Sequence, residues 1–445
     1  MSTRRARPGD DVAVDWDFET EAAYAAKLAW ADEFVRCEVE PLDQVLGHPC
    51  DLADPRRAAL IPRLQHQVRE AGLWACHLGP ELGGHGYGQV KLALLNEILG
   101  RSRCAPVVFG CQAPDSGNAE ILAHFGTDEH QVKYLRPLLD NSIVSCFSMT
   151  EPHGGSDPAQ FVTRAERDAD GWVINGEKWF TSNAAFAAFA LVLAVTDPDA
   201  GHRRQMSMFI VPTGTPGFEI VRNVGMYGDP PGRGTHSYVR YTDVRVPAEN
   251  LLGERGDGFG VAQVRLGGGR IHHAMRSVGL LGRALDMMCE RALSRRSGGR
   301  LLGDRQLVQA MIADSWLEIE QFRLLVLRTA WRIDKYHDYG KVRADIAAVK
   351  IALPKVVHDV SARAVQLHGS LGVSDELPLA RMVLDSFYLG IADGATDVHR
   401  TSLARLILSG HDGYEEQFPS AHLPGLRRAA ELHFETQLSE LRGDQ

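Results

Sequence analysis

Between residues 143 and 250 this chain changes from helical to strand-forming sequence, and after Gly258 it changes back. That alternation narrows the fold more than any other feature, because helical spacing and strand spacing cannot share one segment. Residues 17–140 carry apolar positions at helical intervals, as in Glu21–Val39, Arg56–Ala71, Val90–Leu99 and Ala119–Phe125. The middle region holds short runs of β-formers at 161–165, 190–195, 207–211 and 237–241. Asp170-Gly171 and Asn175-Gly176 read there as hairpin turns. Long segments at 261–296, 304–339, 342–369, 376–390 and 396–409 then predict an antiparallel helical bundle. Residues 425–442 predict one more amphipathic helix, after a linker carrying Pro419 and Pro424.

With 44% hydrophobic residues in 445, the chain can bury a large core across two or three domains. Asp and Glu outnumber Lys and Arg by 57 to 48, which argues against a general nucleic-acid binder. Seven cysteines without a C-x-x-C or ligand-like spacing read as free thiols in a reducing compartment. No apolar run approaches the roughly 18 residues needed to cross a bilayer. Arg4, Arg5 and Arg7 are followed by no apolar stretch, so the expectation is a flexible leader on a soluble, cytoplasmic protein.

Two local features carry chemistry. Thr150-Glu151-Pro152-His153-Gly154-Gly155-Ser156-Asp157 is a polar, glycine-bearing turn behind the apolar run 143–147. Such a turn can bring backbone N–H groups against an anionic or ring-shaped cofactor. Far downstream, Asp393-Gly394 puts a carboxylate on a short turn between an apolar segment and a helix. There it can serve as a base facing a pocket or as an ordinary N-cap. Together they suggest a flavin site faced by a carboxylate. The G-x-G-x-G at 84–88 lacks a preceding strand and reads as a turn, not a phosphate cradle. His272 and His273 are adjacent and diverge on a helix, which makes a metal site from them improbable.

This order of motifs over roughly residues 20–410 resembles the acyl-CoA dehydrogenase family of flavoproteins. The T-E-P-x-x-G-S-D signature stands at Thr150–Asp157 and G-x-K-x-x-T/S-N at Gly176–Asn183. Gly269-Arg270, Arg295-Arg296-Ser297, Gln306 and Gln366-Leu367-His368-Gly369-Ser370-Leu371-Gly372 match further family segments. The base turn reads Asp393-Gly394 where the family usually carries Glu-Gly, a reach shorter by about one methylene. The resemblance implies an α+β fold: an N-terminal helical domain (15–142), a central β-barrel-like domain (143–254) and a C-terminal four-helix bundle (255–412). A C-terminal extension, 413–445, would follow.

The resemblance also implies FAD, an acyl-CoA substrate, a role in fatty acid metabolism, an electron-transfer flavoprotein as acceptor, and a homodimer or homotetramer. Asp393 would take the α-proton while a β-hydride passes to the flavin. Phe147, Met149, Thr150, Gly155 and Ser156 would line the ring's polar edge. Phe180, Thr181 and Ser182 would flank its reactive part, although Phe180 could equally be a core residue. Arg295, Ser297, Gln306, Gln366, Gly369 and Ser370 would hold the rest of FAD across a subunit interface, Arg295 suiting pyrophosphate through its fork of donors. Ala395, lacking the usual hydroxyl, and Asp397 would also face the cofactor. Ser156, Arg270 and Gly394 would meet the thioester. Two other readings remain open: a flavin oxidase or monooxygenase on a non-CoA substrate such as a nitroalkane, and a flavin binder without turnover.

Overall fold

The computed structural model describes residues 19–443 apart from 83, 202, 228, 230, 231, 233, 415 and 416. The expected leader lies outside the described residues. The chain divides into two compact units, 1–400 and 401–445.

In the first unit, helices Ala22–Phe34, Pro55–Glu70, Gly88–Leu99 and Asp115–Phe125 precede the sheet. The starts of two have visible causes. Asp54 accepts the Arg56 N–H at 2.9 Å, and Pro55 supplies a preset φ at the first helical position. Asp334, from a distant helix, accepts the N–H groups of Gln89 and Val90 at 2.6 and 2.9 Å. That carboxylate satisfies donors that a helix leaves free at its start.

The sheet comprises β1 (Ser145–Ser148), β2 (Arg164–Asp168), β3 (Gly171–Ser182), β4 (Phe189–Val195), β5 (Met206–Pro212), β6 (Phe218–Val224), β7 (His236–Pro247) and β8 (Leu251–Leu252). Its order is β6-β7-β3-β2-β4-β5-β8, with β1 parallel to β4. Along β4 the side chains alternate between two apolar clusters. Phe189, Leu191 and Leu193 pack with Ile121, Phe161 and Val261, whereas Ala190, Val192 and Ala194 pack with Trp172 and Tyr241. Both faces are buried, so the strand reads as a continuous apolar run instead of an alternating one.

Two expectations change here. The strand expected at 161–165 begins at Arg164, because the N–H groups of Val162 and Thr163 are taken by the Glu151 carboxylate at 2.8 and 3.0 Å. Asn175-Gly176 is not a hairpin turn but an irregularity within β3, where pairing with β7 shifts register. Gly176 has φ +145°, and a Cβ there would lie 2.5 Å from Thr163 Oγ1. Asp170-Gly171 does turn the β2–β3 hairpin.

Helices Gly258–Ser294, Gln306–Tyr336, Arg343–His368 and Leu379–Ile391 form the helical region after the sheet. Ile271, Val278 and Leu281 of the first share a core with Leu92, Leu95 and Leu99 of the N-terminal helices and with Val326, Val349 and Leu353. Burying each such side chain stabilises by roughly 1.5–3 kcal/mol. Gly100 and Gly279 allow the closest crossing: Cβ atoms there would lie 1.8 Å from the Arg276 carbonyl oxygen and 1.7 Å from that of Glu97. In the second unit the single helix expected at 425–442 is two, Leu423–His433 and Glu435–Gly443, interrupted at Phe434.

Candidate active site

The glycine-bearing turn follows β1 and is fixed from beneath by buried polar groups. Asp115 accepts from the Ser145 N–H at 2.8 Å and its hydroxyl at 2.6 Å, and Asn118 donates to that hydroxyl at 2.8 Å. Glu151 and Lys178 form an ion pair at 2.9 Å with both side chains fully buried, and Lys178 also donates to the Met149 carbonyl at 2.8 Å. Burial alone would raise the Glu151 carboxyl, but Lys178 and the Val162 and Thr163 donors outweigh it and hold it below its ordinary value. Lys178 is pushed down to about 8 by burial, against the pull of Glu151. A buried pair with its remaining valences hydrogen-bonded locks the turn to β3, and losing one partner would strand a charge. The Trp179 N–H donates to the Thr150 carbonyl at 2.8 Å, extending the same seam.

Past that seam the turn opens. Gly155 has φ +52°, and a Cβ there would meet nothing within 4 Å. Ser156 is exposed, and Phe147, Met149 and Thr150 are half-buried. At the end of β3, Phe180 has φ +55° and is 38% exposed, which settles its sequence ambiguity against a core role. Its ring lies 5.3 Å from that of His236, whose Nδ1 meets the Ser182 hydroxyl at 2.8 Å. Thr181 instead points inward, 3.2 Å from the Ser148 hydroxyl, and its main chain pairs with Ser237 of β7.

The late turn comes toward these elements from the helical side. The ring of Tyr388 is 6.1 Å from His236, five residues before Asp393. Arg265 stacks its guanidinium 4.0 Å from the Phe147 ring centroid and donates to Asn118 at 2.9 Å, and its charge acts on Asp393. One cation therefore links the segment behind the glycine turn to the carboxylate.

Asp393 sits at φ +56°, a left-handed conformation that an L-residue keeps only where its surroundings enforce it. Two cations do so here, the buried Lys350 and the half-buried Arg270. Arg270 Nε donates to the Asp393 carbonyl at 2.8 Å, and Lys350 Nζ donates to the carbonyls of Leu389 and Ala392, each at 2.8 Å. The Lys350 ammonium thus closes the end of the Leu379–Ile391 helix, where carbonyls lack helical partners. The carboxylate is approached by His273, with Nε2 3.4 Å from Oδ2, and by Gly269, whose Cβ would lie 3.7 Å from the same oxygen. His399 packs under Gly394, where a Cβ would lie 2.9 Å from Nε2.

Burial by itself would raise the Asp393 carboxyl; the His273 imidazole when protonated, and the standing charges of Arg265, Lys350 and Arg270, outweigh it and hold the group below its ordinary value. His273 is pushed down to about 4, chiefly by burial and then by Arg276, Lys350 and Arg265 against the pull of Asp393. At neutral pH His273 is therefore uncharged, and the standing stabilisation of the carboxylate comes from Arg265, Lys350 and Arg270. Lys350 is lowered to about 8 by burial, with Asp393 opposing. The arrangement presents an ionised carboxylate in a largely desolvated setting, the form in which a carboxylate can accept a proton.

Of the residues singled out in the sequence, the fold brings Phe147, Phe180, Ser182, Arg270 and Asp393 toward one region. Arg295, Ser297 and Gln306 are exposed at the opposite end of the Gly258–Ser294 helix. From Arg270 to Arg295 that helix rises roughly 37 Å at about 1.5 Å per residue. Gln366, Gly369 and Ser370 are likewise exposed, where the Arg343–His368 helix ends. Ala395 is half-buried and Asp397 exposed, both just beyond the base turn. Sequence reasoning missed Arg265, His273 and Lys350. Their signals were present: His273 stands three residues after Arg270, and Lys350 interrupts an apolar helix face.

Helical segments before and after a sheet, with a glycine turn behind β1 and a half-buried carboxylate on a late turn, fit the architecture of a flavin-dependent dehydrogenase. The chain belongs to the acyl-CoA dehydrogenase family: models of that family's N-terminal, middle and C-terminal domains match residues 28–142, 146–244 and 256–408. It is 43% identical over 380 residues to a Mycobacterium tuberculosis protein described as a probable acyl-CoA dehydrogenase, FadE2, covering 82% of this chain and 92% of that one. Human acyl-CoA dehydrogenase family member 11 is 40% identical over 354 residues, 78% of this chain but 45% of that protein, so this chain spans under half its length. Among solved structures, the butyryl-CoA dehydrogenase of Megasphaera elsdenii superposes with a TM-score of 0.76 at 28% identity, covering 88% of this chain and all of the other. The protein is an oxidoreductase acting on CH–CH bonds with FAD as cofactor. No helix among the described residues is long and apolar enough to cross a membrane.

Proposed function

We propose that the protein dehydrogenates an acyl-CoA thioester between its α and β carbons, with Asp393 as the base that removes the α-proton. The observation that carries this reading is the Asp393 turn. Its main chain is clamped by Arg270 and Lys350, its carboxylate is held ionised among cations, and one of those cations, Arg265, stacks on Phe147 of the strand that leads into the glycine turn.

The residues present suit FAD. The open face at Gly155, the exposed ring of Phe180 and the hydroxyl of Ser182 offer a flat contact and polar donors at one place. Phe147, Met149, Thr150, Ser156 and the Thr181 backbone would border the same group, with Ala395 and Asp397 on the helical side. Bound FAD supplies the hydride acceptor. The chain's own residues do the rest: Asp393 takes the proton, and Arg270 and Gly394 set the thioester's approach, with Ser156 opposite.

Arg295, Ser297, Gln306, Gln366, Gly369 and Ser370 lie on exposed surface far along the helices, which suits a role toward FAD bound by a second copy. Exposed Leu307, Trp316, Leu317 and Leu324 on the Gln306–Tyr336 helix provide apolar surface for a homodimer or homotetramer. An electron-transfer flavoprotein as acceptor and a cytoplasmic setting complete the proposal. The relatives matched are acyl-CoA dehydrogenases, which does not favour the oxidase or nitroalkane alternative.

The test is anaerobic mixing of the flavin-loaded protein with acyl-CoAs from butyryl- to palmitoyl-CoA. Bleaching of the flavin with slow reoxidation in air is expected. Asp393→Asn should retain FAD and lose bleaching by roughly 100- to 10,000-fold. Undiminished bleaching in that variant would remove Asp393 from the mechanism.

A further inference from the structure

The three hydrogen bonds that clamp the base turn all go to main-chain carbonyls: Arg270 to Asp393, and Lys350 to Leu389 and Ala392. The carboxylate itself is met by a different group, the His273 imidazole, with Nε2 3.4 Å from Oδ2. Gly269, one helical turn earlier, presents no side chain, so the carboxylate lies against bare helix backbone with His273 beside it. The Asp393 side chain is 16% exposed and the His273 side chain 25% exposed, so the imidazole keeps more open surface than the acid it touches. Among the groups around the carboxylate, His273 is the one that touches it with an atom able to take up a proton and that keeps open surface of its own.

We propose that His273 relays the α-proton from Asp393 to solvent, acting through the base as a positioning and proton-accepting residue. This rests on the reading of Asp393 as the base. The α C–H bond breaks and an O–H bond forms on Asp393, while the α-carbon's electron pair becomes part of the new double bond as hydride leaves the β-carbon. The Asp393 O–H then breaks and an N–H forms at His273 Nε2, restoring the carboxylate. The imidazolium loses its proton to water.

The groups facing His273 suit a transient acceptor. Asp393 on the turn favours the imidazolium; Arg265 and Arg276 on its own helix and Lys350 on the neighbouring helix disfavour it, as does burial. His272 faces away toward His77, their ring centroids 6.4 Å apart, and contributes no carboxylate partner. His273, pushed down to about 4 by burial and the neighbouring cations, does not keep a proton at neutral pH and releases it to water.

The experiment follows exchange of the substrate's α-hydrogen. Flavin-loaded protein is mixed anaerobically in D2O with the acyl-CoA that bleaches it, and α-deuterium in the recovered acyl-CoA is measured by mass spectrometry beside the bleaching rate. His273→Gln keeps an amide donor near Asp393 but cannot relay; exchange relative to bleaching should fall roughly 100-fold. In His273→Ala, added imidazole should restore exchange, a rescue that a packing role would not show. Wild-type exchange in the Gln variant, or no rescue of the Ala variant, overturns the relay. Bleaching and exchange that survive Asp393→Asn would instead overturn the base assignment itself, so the two failures are distinguishable.

Discussion

Lys350→Met removes the ammonium that holds the base turn while keeping most of the side chain's length and apolar bulk. Lys350 is buried and donates to two carbonyls, and hydrogen bonds from a charged group contribute about 1.5–3 kcal/mol each. The gross loss of roughly 3–6 kcal/mol is an upper bound, since methionine recovers apolar contact and no desolvated ammonium remains. A net weakening of the turn by about 2–4 kcal/mol is expected. Releasing Asp393 from φ +56° returns roughly 1 kcal/mol of strain, so the turn has reason to relax once unclamped. At about 1.4 kcal/mol per tenfold, the population presenting the carboxylate correctly falls by roughly 30- to 1,000-fold. The assay is anaerobic bleaching by acyl-CoA, normalised to bound FAD so that unfolded protein does not count. The variant also removes one of the charges that lower the Asp393 pKa, so the acid limb of the bleaching profile should move to higher pH. Bleaching within threefold of wild type at an unchanged midpoint would refute the clamp.

Arg295→Ala should weaken FAD retention by roughly 10- to 100-fold, the worth of a charge-assisted phosphate contact, and loosen assembly. Unchanged flavin content and unchanged size on gel filtration would remove Arg295 from the interface. Glu120 is pushed up to about 7 by burial, against the pull of Arg265 and of its hydrogen bond with Tyr339. The folded state therefore keeps a proton that the unfolded chain has released, and the associated stability is complete below pH 4.5 and lost as pH rises through 7. Glu120→Gln should remove up to about 3 kcal/mol of that decline between pH 5 and 8, read by urea unfolding; equal slopes in variant and wild type would refute it.

What could be read without coordinates was whatever local periodicity and local chemistry encode. The strand at 190–195 followed from a short run of β-formers, and the long helical segments after Gly258 from their spacing, because each segment carries its own apolar pattern. The Asp170-Gly171 hairpin followed for the same kind of reason, since that dipeptide supplies the backbone a tight turn needs. Asn175-Gly176 has similar composition but misled. Its glycine answers a contact with Thr163, which only pairing of β3 with its neighbours creates. The Glu151 carboxylate delayed the start of β2 by taking N–H groups from a segment eleven and twelve residues away, again invisible to a local window.

The candidate site divides along the same line. The glycine turn at 150–157 and the acid at 393 were legible, because their residue types announce chemistry wherever they fold. The groups that hold Asp393 ionised and in place were not, for Arg265, His273 and Lys350 reach it from positions 43 to 128 residues away. An Arg, His or Lys on a helix has many possible partners and a sequence supplies no distances. Burial then decides the outcome: desolvation strengthens every charge interaction around the carboxylate, and it exists only once helices, sheet and turn have packed together.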